Sequence, residues 1–143
     1  KVKVEIYKVF GIETRRPKGQ HGGEKEVPMP LVKLEVSISV PETTKNKVLA
    51  GVAGIVIKVT GKPSAYMMVT LEEGRISMGG RDEPAAFADV RGIGGFTPAV
   101  NKQISKDVCE LLKKELGIKP ENVYLTFTDV AASNWGWNGG TFG

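Results

Sequence analysis

The chain has one cysteine, Cys109, and one histidine, His21, in 143 residues. A single thiol closes no disulfide within the chain, and one thiol with one imidazole falls short of a zinc cage. A Ser-His-Asp or Cys-His device needs its imidazole on a rigid scaffold. His21 instead stands beside Gly22 and Gly23, in a polar stretch that reads as linker. Cys109 falls in an amphipathic helical pattern, the setting of a buried and inert thiol. General acid–base chemistry here therefore needs a base other than histidine. No apolar run approaches the length of a membrane-spanning helix, and no secretory h-region opens the sequence. These absences predict a soluble protein with no membrane partner, cytoplasmic or exported without a classical signal peptide.

Charge of one sign is scarce in the body of the chain. The formal charge is +4, but residues 1–27 hold seven Lys/Arg against four Glu, and the remaining 116 hold thirteen against twelve Asp/Glu. A nucleic-acid domain carries its basic stripe on the folded body, interleaved with aromatics that stack bases. Aromatics are only 7% and show no such interleaving, so nucleic acid is not an expected partner. What is present is a 41% hydrophobic composition with 25% charge, which suits one domain with a real core.

Residues 1–29 read as an N-terminal extension: residues 1–10 alternate like a strand, and residues 15–26 are polar and linker-like. From Pro30 the pattern changes. Residues 31–40 alternate as a half-buried strand. Pro41 opens a helix in which Val48, Leu49, Val52, Ile55, Val56 and Val59 recur at helical spacing, with Gly61 to cap it and Pro63 to stop it. Residues 66–71 read as a strand, residues 72–74 as a turn, and residues 76–78 as its return. Residues 85–91 form the next strand, and Gly92-Ile93-Gly94-Gly95 a turn. That turn lacks the spacing and context of a dinucleotide fingerprint. Thr97-Pro98 is an N-cap with proline at the first helical position, and Val100, Ile104, Val108, Leu111 and Leu112 share one face behind it. Gly117 caps that helix, and residues 123–130 close the pattern as a strand.

Gly61-Lys62-Pro63 before one strand parallels Gly117-Ile118-Lys119-Pro120 before another, so the chain carries two β-α-β units. Right-handed crossovers place both helices on one face of a four-stranded sheet. The other face is left bare and partly apolar, which predicts coverage by further copies of the chain.

Several segments carry a family resemblance. Met29-Pro30-Leu31-Val32 and Thr60-Gly61-Lys62-Pro63 resemble the start and catalytic-lysine region of the macrophage migration inhibitory factor family, in the tautomerase superfamily. Residues 79–85, Arg91-Gly92-Ile93-Gly94, Val123-Tyr124, Asp129 and residues 135–143 follow in the family's order. The resemblance covers nearly all of residues 30–143, the expected domain. It implies an α+β subunit of β-α-β-β-α-β order, assembled as a homotrimer through inter-subunit strand pairing, with sites between subunits. It also implies enol–keto tautomerisation of phenylpyruvate-type and dopachrome-type substrates, small aromatic α-keto acids and enols, with no organic cofactor and no metal. A cytokine-like interaction protein with a protein receptor and little catalysis is the other reading.

By this resemblance Pro30 is the general base. A proline nitrogen is a basic secondary amine only when no residue precedes it; within a peptide bond it is an amide. Met29-Pro30 has the form of an initiator methionine before a processed terminus. Apart from the resemblance, Pro28-Met29-Pro30 reads as a stiff lead into the first strand. Lys62 is implied to hold a substrate carboxylate, although a cation just past a helix end is favourable in itself. Ile93 supplies an apolar wall or core packing. Tyr124 is implied to reach the site of a neighbouring subunit, or is a half-buried strand aromatic. Thr126 stands where the family often carries an amide side chain, with a shorter reach. Trp135, Trp137 and Phe142 form an apolar lip for an aromatic substrate or a cluster that locks the assembly. The family's occasional Cys-x-x-Cys is here Ala85-Ala86-Phe87-Ala88, which has no dithiol chemistry. Arg91 is expected as a second basic group facing the pocket.

Overall fold

The computed structural model describes residues 30–143, so the expectations for residues 1–29 lie outside the described residues. Strand β1 (Leu31–Val36) leads to helix α1 (Glu42–Thr60), strand β2 (Met68–Glu73), strand β3 (Ala86–Gly92), helix α2 (Pro98–Leu116) and strand β4 (Val123–Asp129). A small hairpin, β5 (Gly136–Trp137) with β6 (Gly140–Thr141), ends the chain. The sheet order is β2-β1-β3-β4: β1 runs parallel to β2, antiparallel to β3, and β3 runs parallel to β4. This is the expected β-α-β-β-α-β subunit.

The helix boundaries follow local chemistry. Thr97 accepts a hydrogen bond from the Val100 amide at 3.2 Å, and Pro98 needs no amide partner at the first helical position. Both helices stop where a glycine turns left-handed, Gly61 at φ 69° and Gly117 at φ 66°. Each helix then buries one valine- or leucine-rich stripe: Val48, Val52 and Val56 on α1, and Ile104, Val108 and Leu112 on α2. They meet Val32, Leu34, Val36, Ala86, Ala88 and Val90 from the central strands in one core. Each fully buried aliphatic side chain of this kind contributes about 1.5–3 kcal/mol. Both helices therefore lie on one sheet face, and no helix among the described residues is long and apolar enough to cross a membrane.

Several strand limits differ from the sequence pattern. β1 ends at Val36, because the Ser37 hydroxyl takes the Ala85 amide at 2.8 Å and diverts the chain. Pro63 starts a tight 3-10 turn at Ser64–Tyr66, so β2 begins at Met68 and Tyr66 leaves the ladder. Glu72 and Glu73, expected in a turn, pair with Glu35 and Val36. Met78 makes an isolated bridge to Arg81 across Gly79 and Gly80 rather than a strand. β3 is Ala86–Gly92 and β4 stops at Asp129, each displaced by one residue from its expected limit.

The bare face is partly apolar, as its alternation suggested. Alternation brings Lys33, Glu35, Thr70, Asp89, Arg91, Thr126 and Thr128 onto it together with Leu31 and Phe87, with Met68 61% and Tyr124 64% exposed at opposite edges. Arg91 and Asp89 form an ion pair there at 2.9 Å.

Candidate functional site

The site begins with a register. β1 and β3 pair Leu31 with Arg91, so one step further the ladder sets residue 30 opposite residue 92. The alternation that buries Val32, Leu34 and Val36 continues back to Pro30, which is buried on the helix side. Its carbonyl accepts the Met68 amide at 3.2 Å. Gly92 lies on the same side as Val90 and Ala88, and a Cβ placed there would stand 3.2 Å from Lys62 Nζ. The residue just before β1 and the lysine after α1 thus converge on one glycine.

Lys62 is only 5% exposed. Nζ donates to the Gly94 carbonyl at 2.7 Å and stands 5.0 Å from the centroid of the Phe96 ring. Burial pushes its pKa down from 10.5 to about 8, and the nearby Asp129 carboxylate partly opposes that shift. The lysine remains mostly charged at neutral pH, yet loses its proton within the mildly alkaline range. The native state therefore binds fewer protons than the unfolded chain between about pH 8 and 10.5, and stability from this group rises with pH across that window. Lys62→Met is expected to look more favourable, relative to the parent, at about pH 7 than at about pH 10. Thermal unfolding at both values checks this; an unchanged difference would mean the lysine titrates as an exposed one.

Beside the lysine opens a cleft of about 450 Å³ lined by Ile93, Gly94, residues 129–133 and Gly143. Ile93, which lines it, shares a buried cluster with Phe142, each 2% exposed. Trp137 stacks on Phe142 at 5.8 Å, and Tyr66 meets Trp137 edge-on at 6.0 Å. A larger depression, about 660 Å³, lies at the other end of β1, among Ser37, Ile38, Gly74, Arg75 and Asp82. There the internal repeat puts Ile118, fully buried, where the first unit has Lys62. The two ends are alike in topology and unlike in chemistry; only the smaller cleft lies beside a buried amine.

The family model described as Macrophage migration inhibitory factor (MIF) matches residues 29–143. The chain belongs to this family. Macrophage migration inhibitory factor from Mus musculus is 35% identical over 118 residues, covering 81% of this chain and 99% of that protein. The homologue from Trichinella spiralis is 31% identical over 115 residues, covering 80% of this chain and all of its own. Among solved structures, the homologue from Prochlorococcus marinus superposes with a TM-score of 0.74 at 32% identity, covering 79% of this chain and 99% of its own. The like protein of Entamoeba histolytica gives 0.76 at 29%, covering 79% and 98%.

Within this macrophage migration inhibitory factor fold, one subunit gathers Pro30, Lys62, Ile93, Trp135, Trp137 and Phe142 toward one end of the sheet. Tyr124 and Thr126 are not part of that gathering. They lie on the bare face of β4, and Tyr124 is the second residue of that edge strand, at the end away from Pro30. Arg91 is not part of it either: it alternates with Val90 and Gly92, so within the subunit it points to the bare face, away from Lys62, and its guanidinium is held by Asp89. Cys109 is partly buried, and burial raises its pKa, which keeps the thiol protonated. Sequence reasoning missed Phe96, Asp129 and Tyr66 as neighbours of the site. Asp129 carried a mark as one of the residues in the family's order, and Tyr66 another, an aromatic three residues after Pro63, where a turn can lift it from the ladder.

Proposed function

We propose that this chain is a cofactor-free enol–keto tautomerase for phenylpyruvate-type and dopachrome-type substrates, with Pro30 as general base when its nitrogen is a free amine. The observation that carries this reading is the convergence of Pro30 and the buried Lys62 ammonium on Gly92, next to an apolar cleft. A secondary amine in a buried place beside a cation has its pKa lowered, because desolvation and repulsion both disfavour the second positive charge. Such an amine takes the proton from the enol hydroxyl and delivers it to the α-carbon as the C=C bond becomes C=O, or runs the same transfer in reverse. Lys62 holds the substrate carboxylate, and Ile93 with Trp135, Trp137 and Phe142 receives its aromatic ring. Ketonisation of phenylpyruvate by protein that begins at Pro30 tests the reading; no turnover above buffer would overturn it.

The acting form is a homotrimer. Among the described residues β2 and β4 are open edges, and Tyr124 with Thr126 lies on a sheet face that none of those residues covers. Strand pairing between copies satisfies such edges and brings Tyr124 of one copy toward the Pro30 end of the next. Sedimentation at micromolar concentration is expected to show about three times the 15.4 kDa chain mass. A monomer alone would remove Tyr124 and Thr126 from the site. A second reading, interaction with a protein receptor, is favoured by the migration-inhibitory names of the relatives, and the same assembly serves both.

A further inference from the structure

Lys62 is enclosed by the turn that follows β3. Its Nζ donates to the Gly94 carbonyl, and its stem passes Gly92 and Gly95, where an added Cβ would stand 3.2 Å from Nζ and 3.1 Å from Cε. A Cβ on residue 92 would also meet the Phe96 ring at 2.8 Å, so one missing methyl group seats both the lysine and the ring. Phe96 is braced in turn. It tilts against Phe127 at 5.9 Å and precedes Thr97, whose hydroxyl caps α2. A lysine carries four flexible bonds and much rotamer entropy, so a fixed ammonium needs a partner on more than one side. An aromatic face attracts the cation through its quadrupole without accepting a conventional hydrogen bond. The Gly94 carbonyl takes one of three ammonium protons, leaving others for a ligand.

We propose that Phe96 is the positioning residue for Lys62: its ring face holds the ammonium against the Gly92–Gly95 turn while leaving protons for a substrate carboxylate. The second half of this statement rests on the reading of Lys62 as the carboxylate anchor; the first half does not. Asp129, at the end of β4, is the charged group whose field reaches the same ammonium. Its carboxylate is unchanged in the test below.

The test replaces Phe96 in the full chain with mono-, di- and trifluorophenylalanine, which weaken the negative ring face stepwise and nearly keep its shape. The Lys62 ε-methylene is followed by NMR across the alkaline range, its resonance assigned by loss in Lys62→Met. The titration is expected to move down by on the order of half a unit to one unit over the series, since only the charged amine is drawn to the ring. Phe96→Tyr, which keeps an electron-rich face, is expected to titrate like the parent. In protein beginning at Pro30, KM for phenylpyruvate near the Lys62 pKa of about 8 is expected to rise along the fluorine series while kcat holds. A titration flat across the series overturns the proposal. A stepwise titration with unchanged KM keeps the ring contact and overturns the carboxylate role of Lys62.

Discussion

Protein that begins at Pro30 is expected to ketonise phenylpyruvate faster than the same chain with residues 1–29 attached, by on the order of 10²–10⁴, the usual return from a positioned general base. The reason is covalent. With Met29 attached, the Pro30 nitrogen is an amide whose lone pair is delocalised into the carbonyl, and it neither accepts a proton nor carries one. Adding one alanine ahead of Pro30 is expected to abolish most of the gain while the fold stays intact. Pro30 contributes a buried first step of the sheet, and its carbonyl bond to Met68 survives the addition. Equal turnover by all three forms would show that the proline is not the base.

Lys62→Ala in the Pro30-initiated protein is expected to weaken phenylpyruvate binding by roughly ten- to a hundredfold, the scale of a charge-assisted contact of about 1.5–3 kcal/mol. The methyl ester of the same substrate, which has no carboxylate, is expected to lose far less. The preference of the parent protein for the acid over the ester is expected to narrow as pH rises through about 8, where burial has placed the Lys62 pKa. The sign follows from the amine: above its pKa it is neutral, and the carboxylate loses its partner. Equal losses for acid and ester on Lys62→Ala would mean that the lysine supports the turn around Gly94 rather than the ligand. Here the structural role is real, because removing Nζ also leaves the Gly94 carbonyl without its 2.7 Å donor. The ester is the control that separates the two effects.

Much of this molecule was legible along the chain. The apolar stripes of α1 and α2, the glycines that end them and the Thr97-Pro98 start are local signals, set by backbone sterics and by the 3.6-residue period. The repeated Gly-to-Pro segments gave two β-α-β units and a right-handed crossover for each, which put both helices on one face. The strand ends were less legible. Ser37 and Tyr66 leave their ladders because a hydroxyl reaches Ala85 and because Pro63 starts a turn. Both events depend on residues that alternation does not weigh.

The sequence by itself determined the subunit's order of elements, the residues of its core and the family to which it belongs. Periodicity, caps and ordered motifs are properties of the chain read in one dimension. Only the tertiary structure decided what surrounds Lys62 and which way Arg91 points. Lys62 and Phe96 are 34 positions apart, and they meet because the antiparallel register brings residue 92 to the start of β1. Arg91 faces the other way because side chains in a strand alternate, and its neighbour Gly92 takes the helix side. Packing in three dimensions also buried an amine against glycine backbone and an aromatic face, and burial sets its proton affinity. No spacing along the chain encodes that enclosure.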